Sequence, residues 1–189
     1  NLDPAGLPAA MSAARAAGVT VVGIIGVGLF GQPADYSSIN NFAAAEALWV
    51  IDDAAQSFGS SWQGNRVGTL ASITCTSFFP AKPLGCYGDG GIITTNNTDY
   101  YKKLIRLRSH GITKNTDPFL YHNQAFTADI KNPWYYEMHE LGYNYRLSDI
   151  NAALGLSQLQ RATKNLAIRR DIAANYNKSF KSLNGIQFM

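Results

Sequence analysis

The chain has 189 residues, of which 46% are hydrophobic and 15% charged. That is enough to bury one α/β core without staples, and it excludes a disordered chain. The formal net charge is only +3 and the basic residues form no dense run, which argues against a nucleic-acid partner.

Asn1-Leu2-Asp3-Pro4 reads as a helix start, with Asp3 as N-cap and Pro4 in the first turn. The alanine-rich stretch to Ala17 continues the helix and Gly18 ends it. Val19 to Ile25 is a β-branched strand, and its apolar run continues to Phe30. Arg15 ahead of that run superficially suggests a secretory leader. The run is too short for a membrane span and no cleavage-like pattern follows, so a buried strand and no membrane partner are expected. Gln32 to Asp35 is a turn, and Asp35 or Ser37 can cap a helix to Ala47. Leu48 to Ile51, Ile73 to Phe79 and Gly91 to Thr95 are further strands. Asp99 to Ser109 is a helix whose late basic residues suit its dipole. Gly111 to Trp134 is long, polar and without period, as functional or mobile loops are. From Ser148 the pattern turns helical again. Ile150, Ala153 and Leu154 share one side, and Ala152, Leu156 and Leu159 the other, which predicts a buried helix or a subunit contact. Alternating strands and helices imply a largely parallel sheet covered on both faces.

Such sheets place ligands beyond the carboxyl ends of their strands. Asp52-Asp53 and the segment Ser77-Phe78-Phe79-Pro80-Ala81-Lys82 both fall there. A lysine, a strand-end carboxylate and a hydroxyl held by one core suit a pyridoxal phosphate site. Lys82 would be the Schiff-base lysine, which needs an unprotonated amine. A solvated surface lysine is the plain alternative. Asp53 would meet the pyridine nitrogen and keep it protonated. Asp52 competes for that role, and either residue can instead cap the next helix. The two side chains should point in different directions. Gln56 would touch the ring, or be an ordinary exposed amide. Ser77 would bind the phosphate, or be a plain strand serine.

Gly26-Val27-Gly28-Leu29-Phe30-Gly31 matches a dinucleotide-binding fingerprint, with Asp52 downstream as a ribose acid. Its glycines, however, sit inside an apolar run and lead to Gln32-Pro33, where a helix should open. His110, His122 and His139 lack metal-like spacing, so no metal is expected. The cysteines, Cys75 and Cys86, make no disulfide framework, and a reducing, cytoplasmic setting is expected.

These residues resemble the sugar-nucleotide aminotransferases of the DegT/DnrJ/EryC1/StrS family, pyridoxal phosphate enzymes of fold type I. The blocks that carry the likeness are Val50 to Gly59, Ser77 to Lys82 with the turn Gly85 to Gly91, Arg108 to Gly111, and Leu141 to Asp149 running into Gly155. The resemblance implies the fold type I large domain, a three-layer α/β/α arrangement with a mostly parallel sheet. It implies that Lys82 holds pyridoxal 5'-phosphate, Asp53 meets its ring nitrogen, Gln56 contacts the ring and Ser77 binds its phosphate. It further implies a homodimer with shared sites, in which Asn144, and Arg146 less strongly, reach the neighbour's cofactor phosphate. The plain alternative for Asn144 is a turn residue.

The implied reaction is transamination of a nucleotide-linked keto sugar, with glutamate as amino donor. The likeness leans to a UDP-linked 4-keto-6-deoxy acetamido sugar. The family's usual N-terminal phosphate loop and C-terminal small domain are absent from these residues, so 1–189 is expected to be a partial large domain. Gly26-Val27-Gly28 also stands where relatives commonly have a proline and a polar residue. A dinucleotide-binding oxidoreductase, or a non-catalytic truncated family member, is the alternative.

Overall fold

The computed structural model describes residues 1–114 and 118–185. In chain order these residues form a 3₁₀ turn (Pro4–Gly6), α1 (Leu7–Ala16), β1 (Gly23–Val27), α2 (Tyr36–Ala45), β2 (Trp49–Asp53), β3 (Ser61–Trp62), β4 (Asn65–Arg66), β5 (Ile73–Ser77) and β6 (Gly91–Thr94). They continue with α3 (Thr98–Arg108), β7 (Ile112–Thr113), α4 (His122–Ala125), β8 (Phe126–Thr127), β9 (Ile130–Lys131), β10 (Glu137–Met138), α5 (Asp149–Leu159) and α6 (Ala162–Phe180). The chain divides into two compact units, Asn1–Thr94 with Asp149–Met189, and Thr95–Ser148.

The first unit is built on a four-stranded sheet of order β1-β2-β5-β6. β1, β2 and β5 run parallel and β6 is antiparallel to β5. The α/β class and the mostly parallel sheet expected from the sequence are thus observed, with one antiparallel edge. α2 starts where Asp35 caps it, accepting from the Ser38 N–H at 3.1 Å. Tyr36, Ile39 and Ala43 follow at helical spacing and are buried with Ile24, Val50, Leu7 and Leu70. α1 joins the same cluster through Leu7. Fully burying one such side chain stabilises by roughly 1.5–3 kcal/mol, so this cluster dominates the unit's packing.

Strand limits differ from the sequence reading. β1 begins at Gly23, not Val19, because the cap of α1 uses the intervening residues. Gly18 takes φ +71°, and the Val19 N–H donates back to the Ala14 carbonyl at 2.9 Å. Val19 and Val22 stay exposed. β2 runs to Asp53 rather than stopping at Ile51, since its last residues pair with Thr74 and Cys75 of β5. Backbone pairing, not side-chain polarity, ends the strand.

On the sheet face opposite α2, Ile25, Val27 and Ile93 are 56%, 38% and 49% exposed. Ile150, Leu156 and Leu159 of α5 are exposed too, so of its two expectations burial within this chain is not observed.

The second unit centres on Glu137, in a region whose sequence shows no period. Glu137 accepts from the backbone N–H groups of Leu120 and Tyr121, from the Tyr135 hydroxyl, and from His139 Nε2 at 2.7 Å. Burial opposes ionisation here, but the bonds from His139, Leu120, Tyr121 and Tyr135 outweigh it and hold the carboxyl down to about 2. Phe119 packs edge-on to Tyr135 beside this carboxylate. One buried acid therefore anchors Leu120 and Tyr121 of the segment from Gly111 to Trp134, which shows no period. Residues 115–117 of that segment lie outside the described residues.

Two outcomes check this account. Ile39→Ala should cost about 2–5 kcal/mol, read by urea unfolding, because Ile39 is 0% exposed. The stability that Glu137 contributes is present above the ordinary glutamate range and is lost as pH falls toward about 2. Glu137→Gln should flatten that acid limb, followed by near-ultraviolet dichroism between pH 6 and pH 2.

Candidate active site

β2 is the centre of the site because it has a parallel neighbour on each side. Side chains alternate along a strand. Val50 and Asp52 turn toward α2 and are buried, while Ile51 and Asp53 turn to the opposite face. Asp52 is 0% exposed and held by Tyr36 and Thr74, so it does not open to a ligand. Asp53 is half-buried at the carboxyl end of β2, and its Oδ1 accepts from the Ala55 N–H at 3.1 Å. No helix follows Asp53, so the helix-cap alternative fails; the bond closes a turn.

The strand ends are tied at one level. The Gly28 N–H donates to the Asp53 carbonyl at 3.0 Å, and the Ala54 N–H to the Cys75 carbonyl at 2.8 Å. Ser77 ends β5, two residues beyond Cys75, the pairing partner of Asp53. By alternation Ser77 shares the face of Asp53. Its Oγ accepts from the Phe79 N–H at 3.3 Å, which leaves its own proton to donate.

Lys82 lies in the turn between β5 and β6, at the same end of the sheet. That turn is closed by Phe78 N–H to Gly90 carbonyl at 2.7 Å and Cys86 N–H to Phe78 carbonyl at 2.8 Å. The Lys82 N–H donates to the Phe79 carbonyl at 2.9 Å. Its side chain is half-buried, and among the described residues no hydrogen bond or ion pair engages its amine. Phe78 meets Phe58 edge-on at 6.1 Å, which ties the lysine turn to the segment after Asp53. In that segment Gln56 Oε1 accepts from the Phe30 N–H at 3.0 Å, leaving the carboxamide NH₂ as the group able to meet a ligand.

Asp53, Gln56, Ser77 and Lys82 are therefore in one unit and at one end of one sheet. Asn144 and Arg146 belong to the second unit. There the Tyr143 N–H and Tyr145 N–H donate to the Leu107 and Arg108 carbonyls at 2.7 and 2.9 Å. Asn144 forms an antiparallel bridge with Ser109, and its side chain is exposed, as is that of Arg146.

The glycine fingerprint does not form a dinucleotide turn. Gly26 is inside β1, and Leu29–Gly31 is a single 3₁₀ turn before Gln32. The first α-helix after it opens only at Tyr36. Among the described residues, no group of three or more His, Cys, Asp or Glu side chains can hold a metal ion. No described helix is long and apolar enough to cross a membrane.

A model of the DegT/DnrJ/EryC1/StrS aminotransferase family matches residues 1–189. The chain belongs to that family. It is 38% identical over 183 residues to the UDP-2-acetamido-2-deoxy-3-oxo-D-glucuronate aminotransferase of Pseudomonas aeruginosa, covering 97% of this chain and 44% of that protein. It is 37% identical over 163 residues to the UDP-4-amino-4,6-dideoxy-N-acetyl-beta-L-altrosamine transaminase of Campylobacter jejuni, covering 86% and 39%. Its fold superposes with TM-score 0.82 and 33% identity on a DegT DnrJ EryC1 StrS aminotransferase from Brucella abortus, over 96% of this chain and 44% of that one. The chain thus spans less than half the length of these relatives. The α/β fold with its mostly parallel sheet is the one it shares with the Brucella abortus aminotransferase.

The residues fit a pyridoxal phosphate group by their chemistry. A carboxylate opens onto one sheet face, a hydroxyl shares that face, and an unengaged amine stands in the adjoining turn. Ser57 was missed from the sequence. It is 1% exposed, and its Oγ has no hydrogen-bond partner among the described residues. It lies under Gly28, where an added Cβ would come 2.4 Å from that oxygen. An unsatisfied buried hydroxyl costs about 1–3 kcal/mol. Ser57→Ala should therefore leave the thermal midpoint unchanged or raise it; a drop of several degrees would mean the hydroxyl has a partner.

Proposed function

We propose that this chain carries the cofactor face of a pyridoxal-phosphate-dependent transaminase acting on a nucleotide-linked keto sugar. The observation that supports the reading is that Asp53, Ser77 and the turn carrying Lys82 all fall at the carboxyl end of the β2–β5 pair.

Lys82 would hold the cofactor through its amine, which no hydrogen bond or ion pair engages among the described residues, and the same amine would serve to move a proton at the substrate carbon. Asp53 would pair with the ring nitrogen and favour its protonated form. Gln56 offers its NH₂ to the ring side, and the Ser77 hydroxyl donates to the phosphate. When bound, the cofactor supplies the electron sink for the carbanion formed as the proton leaves.

Glutamate is the proposed amino donor. The substrate is proposed as a UDP-linked acetamido keto sugar, with the 4-keto-6-deoxy form preferred. Support comes from the two relatives above, whose names both carry UDP and an acetylated amino group. One is named for a 3-oxo sugar, so parallel assays with 3-keto and 4-keto UDP sugars decide the carbon.

A homodimer with shared sites is the proposed assembly, with Asn144 and Arg146 serving the partner's cofactor phosphate. Tyr143 and Tyr145 stack at 4.9 Å while 59% and 70% exposed, and Leu141 is 87% exposed. A patch of this kind suits burial against another chain. The thiols of Cys75 and Cys86 are free, which suits a reducing, cytoplasmic compartment.

The reading is tested by mixing the protein with pyridoxal 5'-phosphate, reducing with borohydride and mapping the labelled peptide. The label is expected on Lys82 and is expected to vanish in Lys82→Ala. Label spread over the other lysines, or unchanged in that variant, would overturn it.

A further inference from the structure

Behind Asp53, on the α2 side of the sheet, polar groups form a closed chain. Tyr36 Oη lies 2.8 Å from the Gly26 carbonyl oxygen and 2.6 Å from Asp52 Oδ1. Thr74 Oγ1 lies 3.2 Å from Asp52 Oδ2. Asp52, Tyr36 and Thr74 are 0%, 1% and 1% exposed. Gly26 permits this approach, since a Cβ there would come 2.9 Å from Tyr36 Oη.

The proton count decides the state of this chain. A phenol carries one proton, a carbonyl only accepts, and an ionised carboxylate only accepts. Tyr36 can serve one of its two acceptors, and both lie at hydrogen-bond distance. Two acceptors this close to one phenol oxygen need a second proton between them.

We propose that Asp52 is a neutral carboxylic acid that donates to Tyr36, which donates to the Gly26 carbonyl, and that this chain of bonds is a positioning clamp for Asp53. The carboxyl's other oxygen accepts from Thr74. The clamp joins α2, β1, β2 and β5 one residue before Asp53 and on the opposite face. It holds the peptide that aims Asp53. It also leaves a single negative charge at the end of β2.

The surroundings agree. The titratable and polar groups around Asp52 are Tyr36 from α2 and Thr74 from β5 on its own face, and Asp53 from β2 and Cys75 from β5 on the other; none is a cation. Burial pushes the Asp52 carboxyl up, against the bonds from Tyr36 and Thr74, and the Asp53 charge adds to the rise. The same burial, with Asp52 beside it, pushes the Tyr36 phenol far up, so it stays protonated.

The part about the proton stands by itself, while the role toward the cofactor rests on the function proposed above. The test therefore has two arms. In the first, the ¹³C carboxyl resonance of Asp52, assigned through Asp52→Asn, is followed from pH 3 to pH 8 without cofactor. It should stay at the protonated position beyond the ordinary aspartate range. A group kept protonated by folding contributes stability that is lost as pH rises through its native value. Wild type should therefore lose stability relative to Asp52→Asn as pH rises above the ordinary aspartate range. Asparagine reproduces the pattern, an N–H toward Tyr36 and an oxygen toward Thr74. A resonance titrating like a free aspartate, or an Asp52→Asn variant losing as much stability as Asp52→Ala, would overturn the proposal.

In the second arm, pyridoxal 5'-phosphate occupancy is read by absorbance across pH. Tyr36→Phe and Asp52→Ala should weaken occupancy on the order of tenfold and shift its pH profile, with Asp52→Asn restoring both. Unchanged occupancy in folded Tyr36→Phe would overturn the positioning role. Failure of wild type to load at all would instead sink the function reading and leave the first arm intact.

Discussion

The site depends on the parallel pairing of β2 between β1 and β5. Because side chains alternate along a strand, the consecutive carboxylates of Asp52 and Asp53 are sent to opposite faces. One is buried against α2 and the other is half-buried on the opposite face. A slip of one residue would exchange them, opening Asp52 and burying Asp53. The register is held by the backbone bonds of Gly28 and Ala54 across the strand ends and by the packing of Val50 among Ile39, Ala43 and Ile24. Chemistry on one face is thus guaranteed by packing on the other.

The same sheet has a second, less settled surface. Ile25, Val27 and Ile93 lie open opposite α2, and α5 exposes Ile150, Leu156 and Leu159. Contiguous apolar surfaces of this kind are made to be covered. The relatives are more than twice the length of this chain. The exposed stacked tyrosines beside Asn144 belong to the same class of surface.

Much of this was legible in the residues. Asp35 as a cap, Gly18 as a stop, the largely parallel sheet implied by alternating elements, and the placing of Asp53, Ser77 and Lys82 at or beyond strand ends follow from local chemistry and spacing. Other features were not legible. The start of β1 moved to Gly23 because α1's cap consumed residues that look β-branched and strand-like. Glu137 gave no local sign of its role, since two of its four donors are the distant backbone of Leu120 and Tyr121. Asp52 could be named as a rival to Asp53 but not removed, because only pairing to Thr74 and packing under Tyr36 show which way it faces.

The sequence by itself determined the class of fold and the family, and named the candidate residues for the chemistry, because motif spacing and hydrophobic period are local quantities. Tertiary structure alone decided which aspartate is buried, how Gln56 spends its oxygen on the Phe30 backbone, and that one phenol oxygen lies within hydrogen-bond distance of both the Gly26 carbonyl and Asp52. Those outcomes depend on atoms far apart in the chain meeting within about 3 Å, and no local pattern encodes such a meeting.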